Sequence, residues 1–197
     1  MKYVSYRDTS GTGTRIYFLI PAIIVCALAV FINFFDTAVG QTSEDGDPVL
    51  LDVHTLYNDY SSTHPDIPDI TVEEYLSLRE EGTVLLVDDR TSTERSVSMI
   101  PGAMSVEEFE AVWKDYRGTP IVISNPVVVY CTIGVRSGRY TKKLIRRGFV
   151  AYNLAGGVLA WAHAGGEFVD PRGNRTDTVH VYGEDWNLLP PGYTPVW

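Results

Sequence analysis

Between residues 71 and 166 the chain alternates segments with helical spacing of apolar side chains and short runs that are apolar throughout. Two helical segments begin with a capping box, in which Glu74 follows Thr71 and Glu108 follows Ser105 at the three-residue spacing. This alternation predicts an α/β domain with a mainly parallel central sheet and helices on both faces. The predicted order is helix 71–82, strand 83–89, helix 105–118, strand 121–131 interrupted at Asn125 and Pro126, helix 137–148, strand 149–154 and helix 156–166.

A run of twenty uncharged residues, 16–35, precedes this domain and has about the length of a helix that crosses a bilayer. Bases outnumber acids before the run, whereas only acids follow it as far as residue 52. By the positive-inside rule we predict a cytoplasmic tail over 1–15 and a single transmembrane helix over 16–38. The remainder is then predicted to lie on the extracytoplasmic, periplasmic side. A cleaved signal peptide is the alternative, because small residues at 38–41 suit a cleavage site.

Two polar segments flank the domain, which is predicted to span residues 68–170. Residues 39–67 are rich in acids, Ser and Pro, and we predict an acidic linker with a short amphipathic helix within 48–60. Residues 171–197 are predicted to form an irregular C-terminal extension that packs on the domain, and that could also cover a site or bind a partner. The apolar side chains on which this prediction rests are Val179, Val181, Tyr182 and Trp186.

The charge and cysteine content exclude several classes of function. The formal net charge of −9, from 25 acids and 16 bases, argues against nucleic acid as a partner. There are two cysteines, and Cys26 lies in the apolar run, so a structural disulfide with Cys131 is not expected. The four histidines show no paired spacing with either cysteine. No metal is therefore predicted.

Cys131 follows a predicted buried strand and precedes a helix that is expected to begin near Ser137. In a parallel α/β sheet, ligands bind at the carboxyl ends of the strands, where helix N-termini supply N–H groups and positive charge. Arg136 and Arg139 lie on the first turn of that helix, and both favour a thiolate and attract anions. The pattern predicts a nucleophile, although a buried structural thiol and a cysteine-dependent phosphate-ester hydrolase remain alternatives.

Four motifs occur in the order that is typical of one family. They are "VDDRTSTE" at 87–94, "IPGAMS" at 100–105, "VVVYCTIGVRSG" at 127–138 and "LAGGVLAW" at 154–161. With them, residues 68–168 resemble the rhodanese-like sulfurtransferases. The loop also has the four residues between Cys131 and Arg136 that these enzymes have, whereas dual-specificity phosphatases and arsenate reductases have five. Met99 stands where the family usually has histidine, Ser98 where it often has glycine, and Arg95 replaces an aromatic residue.

The resemblance implies a reaction as well as a fold. Cys131 would take sulfane sulfur from a small anionic donor such as thiosulfate, become a persulfide, and pass the sulfur to a thiol or cyanide-like acceptor. The active loop implied by the family is Thr132, Ile133, Gly134, Val135, Arg136 and Ser137, with Asp88, Arg90, Gly156 and Gly157 in support. The predicted function is a membrane-anchored sulfurtransferase without a cofactor. The alternative is a non-catalytic rhodanese-like binding or scaffold module for an unidentified membrane partner.

Overall fold

A five-stranded parallel sheet organises residues 47–82, 84–114 and 125–197, the part of the chain that the computed structural model describes. Its spatial order is β1-β5-β4-β2-β3, and each neighbouring pair is parallel. The strands are β1 (Asp69–Ile70), β2 (Leu85–Asp88), β3 (Met104–Ser105), β4 (Val127–Tyr130) and β5 (Ala151–Leu154). The predicted mainly parallel α/β fold is confirmed.

Helices cover both faces of this sheet, as predicted. They are α1 (Pro48–Ser62), α2 (Val72–Glu80), α3 (Ser92–Val97), α4 (Val106–Trp113), α5 (Val135–Arg146) and α6 (Gly157–His163). Alternate residues of β4 point to opposite sides, so that Val128 and Tyr130 join one apolar cluster and Val127 and Val129 join the other. The first cluster lies against α1, α2 and α6, and the second lies against α4 and α5.

The capping boxes at Thr71 and Ser105 are confirmed, because each hydroxyl accepts the N–H of the glutamate three residues on, and that carboxylate accepts the cap N–H. A third box, Thr91 with Glu94, begins α3, a helix that the sequence analysis did not predict. With only six residues, α3 is too short for a periodic apolar pattern to stand out. Helix α5 begins two residues earlier than predicted, because Gly134 forms its N-cap in a left-handed conformation.

Helix α1 differs from the predicted linker over residues 48–62. The short amphipathic helix predicted there is present, and it is an integral part of the domain. Val53 and Tyr57 are 0% and 4% exposed and belong to the larger apolar cluster. The Asp47 carboxylate caps the helix by accepting the N–H of Val49 at 2.9 Å. Burial of its apolar side therefore fixes α1 on the sheet.

The C-terminal extension packs on the domain as predicted, but it is more regular than expected. Its strand β7 (Arg175–Thr176) pairs antiparallel with β6 (Phe168–Val169) at the end of the domain, and its strands β8 (Thr178–His180) and β9 (Thr194–Val196) form a parallel pair. Val179 and Val181 are fully buried, and Trp186 is partly buried. Tyr182 departs from the expectation that it would be shielded from water, because it is 62% exposed.

One histidine joins both flanking segments to the domain. The side chain of His163, at the end of α6, is 2% exposed. Its Nδ1 lies 3.0 Å from the Asp47 carboxylate at the start of α1, and its Nε2 lies 2.8 Å from the Leu188 carbonyl in the extension. His163 is thus a packing residue.

The predicted tail over 1–15 and the predicted transmembrane helix over 16–38 lie outside the described residues. Among the helices of residues 47–82, 84–114 and 125–197, none is long and apolar enough to cross a membrane.

Candidate active site at Cys131

Cys131 is the first residue after β4, in the short loop that connects this strand to α5. It is a free cysteine and is 2% exposed. The Gly134 N–H donates a hydrogen bond to its Sγ at 3.2 Å. Gly134 has a φ of 111°, which a residue with a Cβ rarely adopts, and this conformation turns the loop back so that its N–H reaches the sulfur. The sulfur therefore lies at the N-terminal end of α5, as predicted.

The carbonyl groups of the loop are held by the start of α6. Val158 N–H donates to the Cys131 carbonyl at 3.0 Å, and Leu159 N–H donates to the Thr132 carbonyl at 3.3 Å. This close approach requires glycine at 157, because a Cβ there would contact the Cys131 carbonyl and lie 2.7 Å from the Thr132 carbonyl oxygen. Gly156 caps α6 in the left-handed conformation. The two glycines thus allow the approach that the motif implied.

Arg136 lies on the first turn of α5 and is paired with Glu94. Its two terminal nitrogens donate to the two carboxylate oxygens at 2.8 and 2.6 Å, and one of them also donates to the Thr132 hydroxyl at 3.1 Å. Burial alone would raise the pKa of Glu94, but hydrogen bonds from Arg136 and Thr91 lower it to about 2. The hydrogen bond to Glu94 raises the pKa of Arg136, and the Cys131 sulfur acts in the same direction.

Asp88, Arg90 and Glu94 lie in the same motif, but in the structure they belong to two separate ion pairs. Asp88 and Arg90 form a pair in which both side chains are 0% exposed, with 2.8 Å between nitrogen and oxygen. The Tyr130 hydroxyl donates to the same carboxylate at 2.6 Å and accepts the Ile100 N–H at 3.1 Å. This network lies directly beneath the cysteine loop, because Tyr130 precedes Cys131. Glu94 belongs to the Arg136 pair instead.

The other end of the loop is held by Asn153, the one polar residue of β5 that is fully buried. Its amide nitrogen donates to the Gly134 carbonyl at 3.0 Å and to the Tyr57 hydroxyl at 2.8 Å, and its oxygen accepts the Ser137 hydroxyl at 2.7 Å. Tyr57 in turn donates to Asp69. Helix α1 and strand β1 are therefore connected to the loop through buried hydrogen bonds. Of the remaining loop residues, Ile133 is buried in the larger cluster and Val135 is half-buried.

Two residues next to the site come from its flanking segments. Tyr60 in α1 interacts electrostatically with Cys131 and with Arg139. Tyr182 in the extension places its ring over the guanidinium of Arg136, 5.4 Å from the ring centroid. A tyrosine rarely adopts the left-handed φ of 75° that Tyr182 has. The extension thus reaches the arginine side of the site, one of the roles left open by the sequence.

Asp89 is a third acidic residue beside the loop. Its backbone N–H donates to the Tyr130 carbonyl at 2.9 Å, which places it at the end of β2 next to Cys131. No residue within 47–82, 84–114 and 125–197 donates a hydrogen bond to its half-buried carboxylate or pairs with it as an ion pair. Burial raises the pKa of Asp89 to about 6, although Arg136 lowers it. The charge near the cysteine therefore changes just below neutral pH.

We expect Asp89→Asn to speed the alkylation of Cys131 by the anion iodoacetate above pH 6, by about fivefold relative to neutral iodoacetamide. Below pH 5 the ratio of the two rates should equal that of the wild type, because Asp89 is then uncharged. If the ratio of the iodoacetate rate to the iodoacetamide rate does not change with pH, the charge of Asp89 does not influence Cys131.

The same group also makes stability depend on pH. The pKa of Asp89 in the folded protein lies above its value near 4 in the unfolded chain. Wild-type stability should therefore fall relative to Asp89→Asn as the pH rises from about 4 to about 6.

Sequence reasoning missed four of these neighbours. Tyr57 and Tyr60 were assigned to a linker, and only their helical spacing could have suggested that they pack on the domain. Asn153, a polar residue within an apolar strand, carried a detectable signal. Nothing in the sequence indicated that Tyr182 would contact Arg136. Within the described part of the chain, no group of His, Cys, Asp and Glu is arranged to hold a metal ion.

A family model described as "Rhodanese-like domain" matches residues 71–164. A protein from Allochromatium vinosum named "Sulfurtransferase" is 38% identical over 97 residues, which cover 49% of this chain and 88% of that protein. A "tRNA uridine(34) hydroxylase" from Chlamydia abortus is 29% identical over 103 residues, 49% of this chain and 32% of that enzyme, so the chain spans about a third of its length.

Among solved structures, the rhodanese-like domain protein from Staphylococcus aureus is similar with a TM-score of 0.40 and 27% identity. The match covers 48% of this chain and 91% of that one. The family match and the sulfurtransferase relative, most of whose length the chain covers, agree with the four motifs and with the parallel fold. The chain therefore belongs to the rhodanese-like domain family.

Proposed function

We propose that the chain is a sulfurtransferase that carries sulfane sulfur on Cys131. The observation that carries the proposal is the position of its sulfur, which accepts the Gly134 N–H at the start of α5 and interacts with the guanidinium of Arg136. Backbone N–H groups and a neighbouring cation stabilise a thiolate, which is the nucleophilic form. The 38% identity to a named sulfurtransferase supports the same reading.

In the first step, the Cys131 thiolate attacks the outer sulfur of thiosulfate. A sulfur–sulfur bond forms to Cys131, the sulfur–sulfur bond of thiosulfate breaks, and sulfite leaves with the bonding electron pair. In the second step, a thiolate or cyanide attacks the outer sulfur of the persulfide and releases Cys131 as thiolate. Charge and atoms balance in both steps, and no cofactor is needed. The Gly134 N–H stabilises the negative charge on the Cys131 sulfur.

The loop is small, and its size favours sulfur over phosphate as the transferred group. Four residues separate Cys131 from Arg136, and Arg136 is already engaged by the Glu94 carboxylate through two hydrogen bonds. A tetrahedral phosphate ester would need that guanidinium as a bidentate partner. A single sulfur atom requires only the N–H groups of the loop.

A binding or scaffold module is the second candidate. It is favoured by the burial of Cys131, whose side chain is only 2% exposed. We also propose that residues 16–38 anchor the domain on the extracytoplasmic side, because an uncharged run of about bilayer length lies between a basic and an acidic flank. Protease digestion of spheroplasts tests this topology, because a periplasmic domain would be cleaved and a cytoplasmic domain would be protected.

The sulfur-carrier role is tested by the intact mass of the purified full chain before and after thiosulfate. We expect a gain of about 32 Da, one sulfur atom, that cyanide reverses. Cys131→Ser should show no gain, and because it keeps Cys26 it also controls for nonspecific modification of a thiol. If the wild type takes no sulfur from thiosulfate or from other sulfane donors, the sulfurtransferase proposal is wrong and the binding module takes its place.

A further inference from the structure

The hydroxyl of Tyr60 is buried, yet it has no hydrogen-bond partner among the described residues. Tyr60 lies near the end of α1, before the stretch 71–164 that matches the family model. Its ring stacks on His64 with 4.4 Å between centroids, and it lies 6.2 Å from the ring of Tyr57. A buried hydroxyl without a partner costs free energy and is rare in folded proteins. The ring of Tyr60 is therefore held in place by packing, while its hydroxyl can still form a hydrogen bond.

The hydroxyl lies over the first turn of α5, which directly follows the cysteine loop. A Cβ on Gly138 would lie 2.6 Å from the Tyr60 oxygen, so the two residues are in close contact. Gly138 N–H donates to the Gly134 carbonyl at 2.9 Å, and Gly134 N–H donates to the Cys131 sulfur. Gly138 has an ordinary helical φ, so the need for glycine there comes from Tyr60.

The electrostatic surroundings keep this hydroxyl protonated. Burial raises the pKa of Tyr60, and the negative charges of Cys131, Asp69 and Asp66 raise it further, whereas Arg139 lowers it. Tyr60 is therefore a hydrogen-bond donor at neutral pH, and its proton can be offered to an anion near Cys131. The Tyr60 hydroxyl makes no hydrogen bond to the sulfur of Cys131 before sulfur is loaded. It can therefore donate to the second sulfur atom that the reaction adds to Cys131.

We infer that the Tyr60 hydroxyl donates a hydrogen bond to the outer sulfur of the persulfide on Cys131. That sulfur lies about 2 Å beyond Sγ and carries the negative charge. The inference rests on the proposed function and extends it, because it makes α1 a functional part of the site. No proton is transferred: the hydroxyl stabilises the loaded state, and when an acceptor attacks the outer sulfur, the electron pair of the broken sulfur–sulfur bond stays on Cys131. Tyr60 is in this sense a catalytic residue, since it touches the transferred atom.

The test measures the equilibrium between free and loaded Cys131 at fixed ratios of thiosulfate to sulfite, by intact mass of the full chain. We expect Tyr60→Phe to lower the loading constant about tenfold, the effect of losing one hydrogen bond to a charged atom. The matched control is Tyr193→Phe, which removes a hydroxyl that donates to the Gly166 carbonyl in the extension. The control should load as the wild type does, and circular dichroism should show both variants folded.

A second variant reaches the same hydroxyl from the other side. Gly138→Ala should displace the ring of Tyr60 and lower loading to a similar degree, while alanine itself favours the helix. The double variant should load no worse than either single variant, because both remove the same hydrogen bond. Loading of Tyr60→Phe within twofold of the wild type would overturn the inference and leave the sulfurtransferase intact. Absence of loading in the wild type would overturn both.

Discussion

Gly157→Ala is expected to lower the free energy of unfolding by more than about 4 kcal/mol and to abolish sulfur loading of Cys131. The added Cβ would contact the Cys131 carbonyl oxygen and approach the Thr132 carbonyl to 2.7 Å at oxygen and 2.8 Å at carbon. These are backbone atoms at the end of β4, and they are fixed by hydrogen bonds from Val158 and Leu159. They cannot move without breaking the contact between the cysteine loop and α6.

Gly165→Ala is the matched control for this substitution. Gly165 has a left-handed φ of 73°, comparable with the 53° of Gly157, but a Cβ there would meet nothing within 4 Å. It should therefore cost only about 1–2 kcal/mol, the conformational penalty of a left-handed alanine. Chemical denaturation followed by circular dichroism measures both variants. Equal losses at the two positions would show that steric contact with the loop is unimportant.

Asp88→Asn is expected to destabilise the protein by about 3–5 kcal/mol, because it removes one partner of a fully buried ion pair. The Asp88 carboxylate accepts hydrogen bonds from the backbone and the side chain of Arg90 and from the hydroxyl of Tyr130. A neutral amide offers one acceptor oxygen and turns two hydrogens toward these donors. The Arg90 guanidinium would then be a buried charge without its counterion.

Denaturant titration at neutral pH measures this loss, and Glu167→Gln provides the comparison. Glu167 also pairs with an arginine, Arg175, at a distance of 2.7 Å. In this pair, however, the side chain of Arg175 is 75% exposed and that of Glu167 is 56% exposed. Solvent screens such a pair, so its removal should change stability little. If Asp88→Asn were as stable as Glu167→Gln, the buried network beneath the cysteine would not be what supports the loop.

The fold could be predicted because local signals agreed with one another. Capping boxes at Thr71 and Ser105 marked helix starts, and the unbroken run at 127–130 marked a strand buried on both faces. The strands of the C-terminal extension have two or three residues each, which is too few for a period to be recognised. The burial of α1 escaped prediction because acids and serines around it suggested a solvated linker.

The position of Cys131 at a strand end could likewise be predicted, but its electrostatic surroundings could not. From sequence alone, Arg136 was expected to favour a thiolate at Cys131 and to attract anions. In the structure it is shared with Glu94, which is 42 positions away in the chain. Which of several acids comes to lie beside a given arginine depends on tertiary packing. For the same reason the pKa of Asp89, about 6 because of burial, could not be anticipated from its type.

The packing of α6 limits where this protein can be divided. Its residues from Gly157 to Ala162 are all buried, and they share an apolar cluster with Val53 and Tyr57 on one flank and with Val179 and Val181 on the other. A fragment trimmed to the family match, residues 71–164, would expose that cluster to water. We therefore regard the family region as a non-autonomous folding unit in this chain. Expression or domain-transplantation designs should retain residues 47–70 and 165–197 along with it.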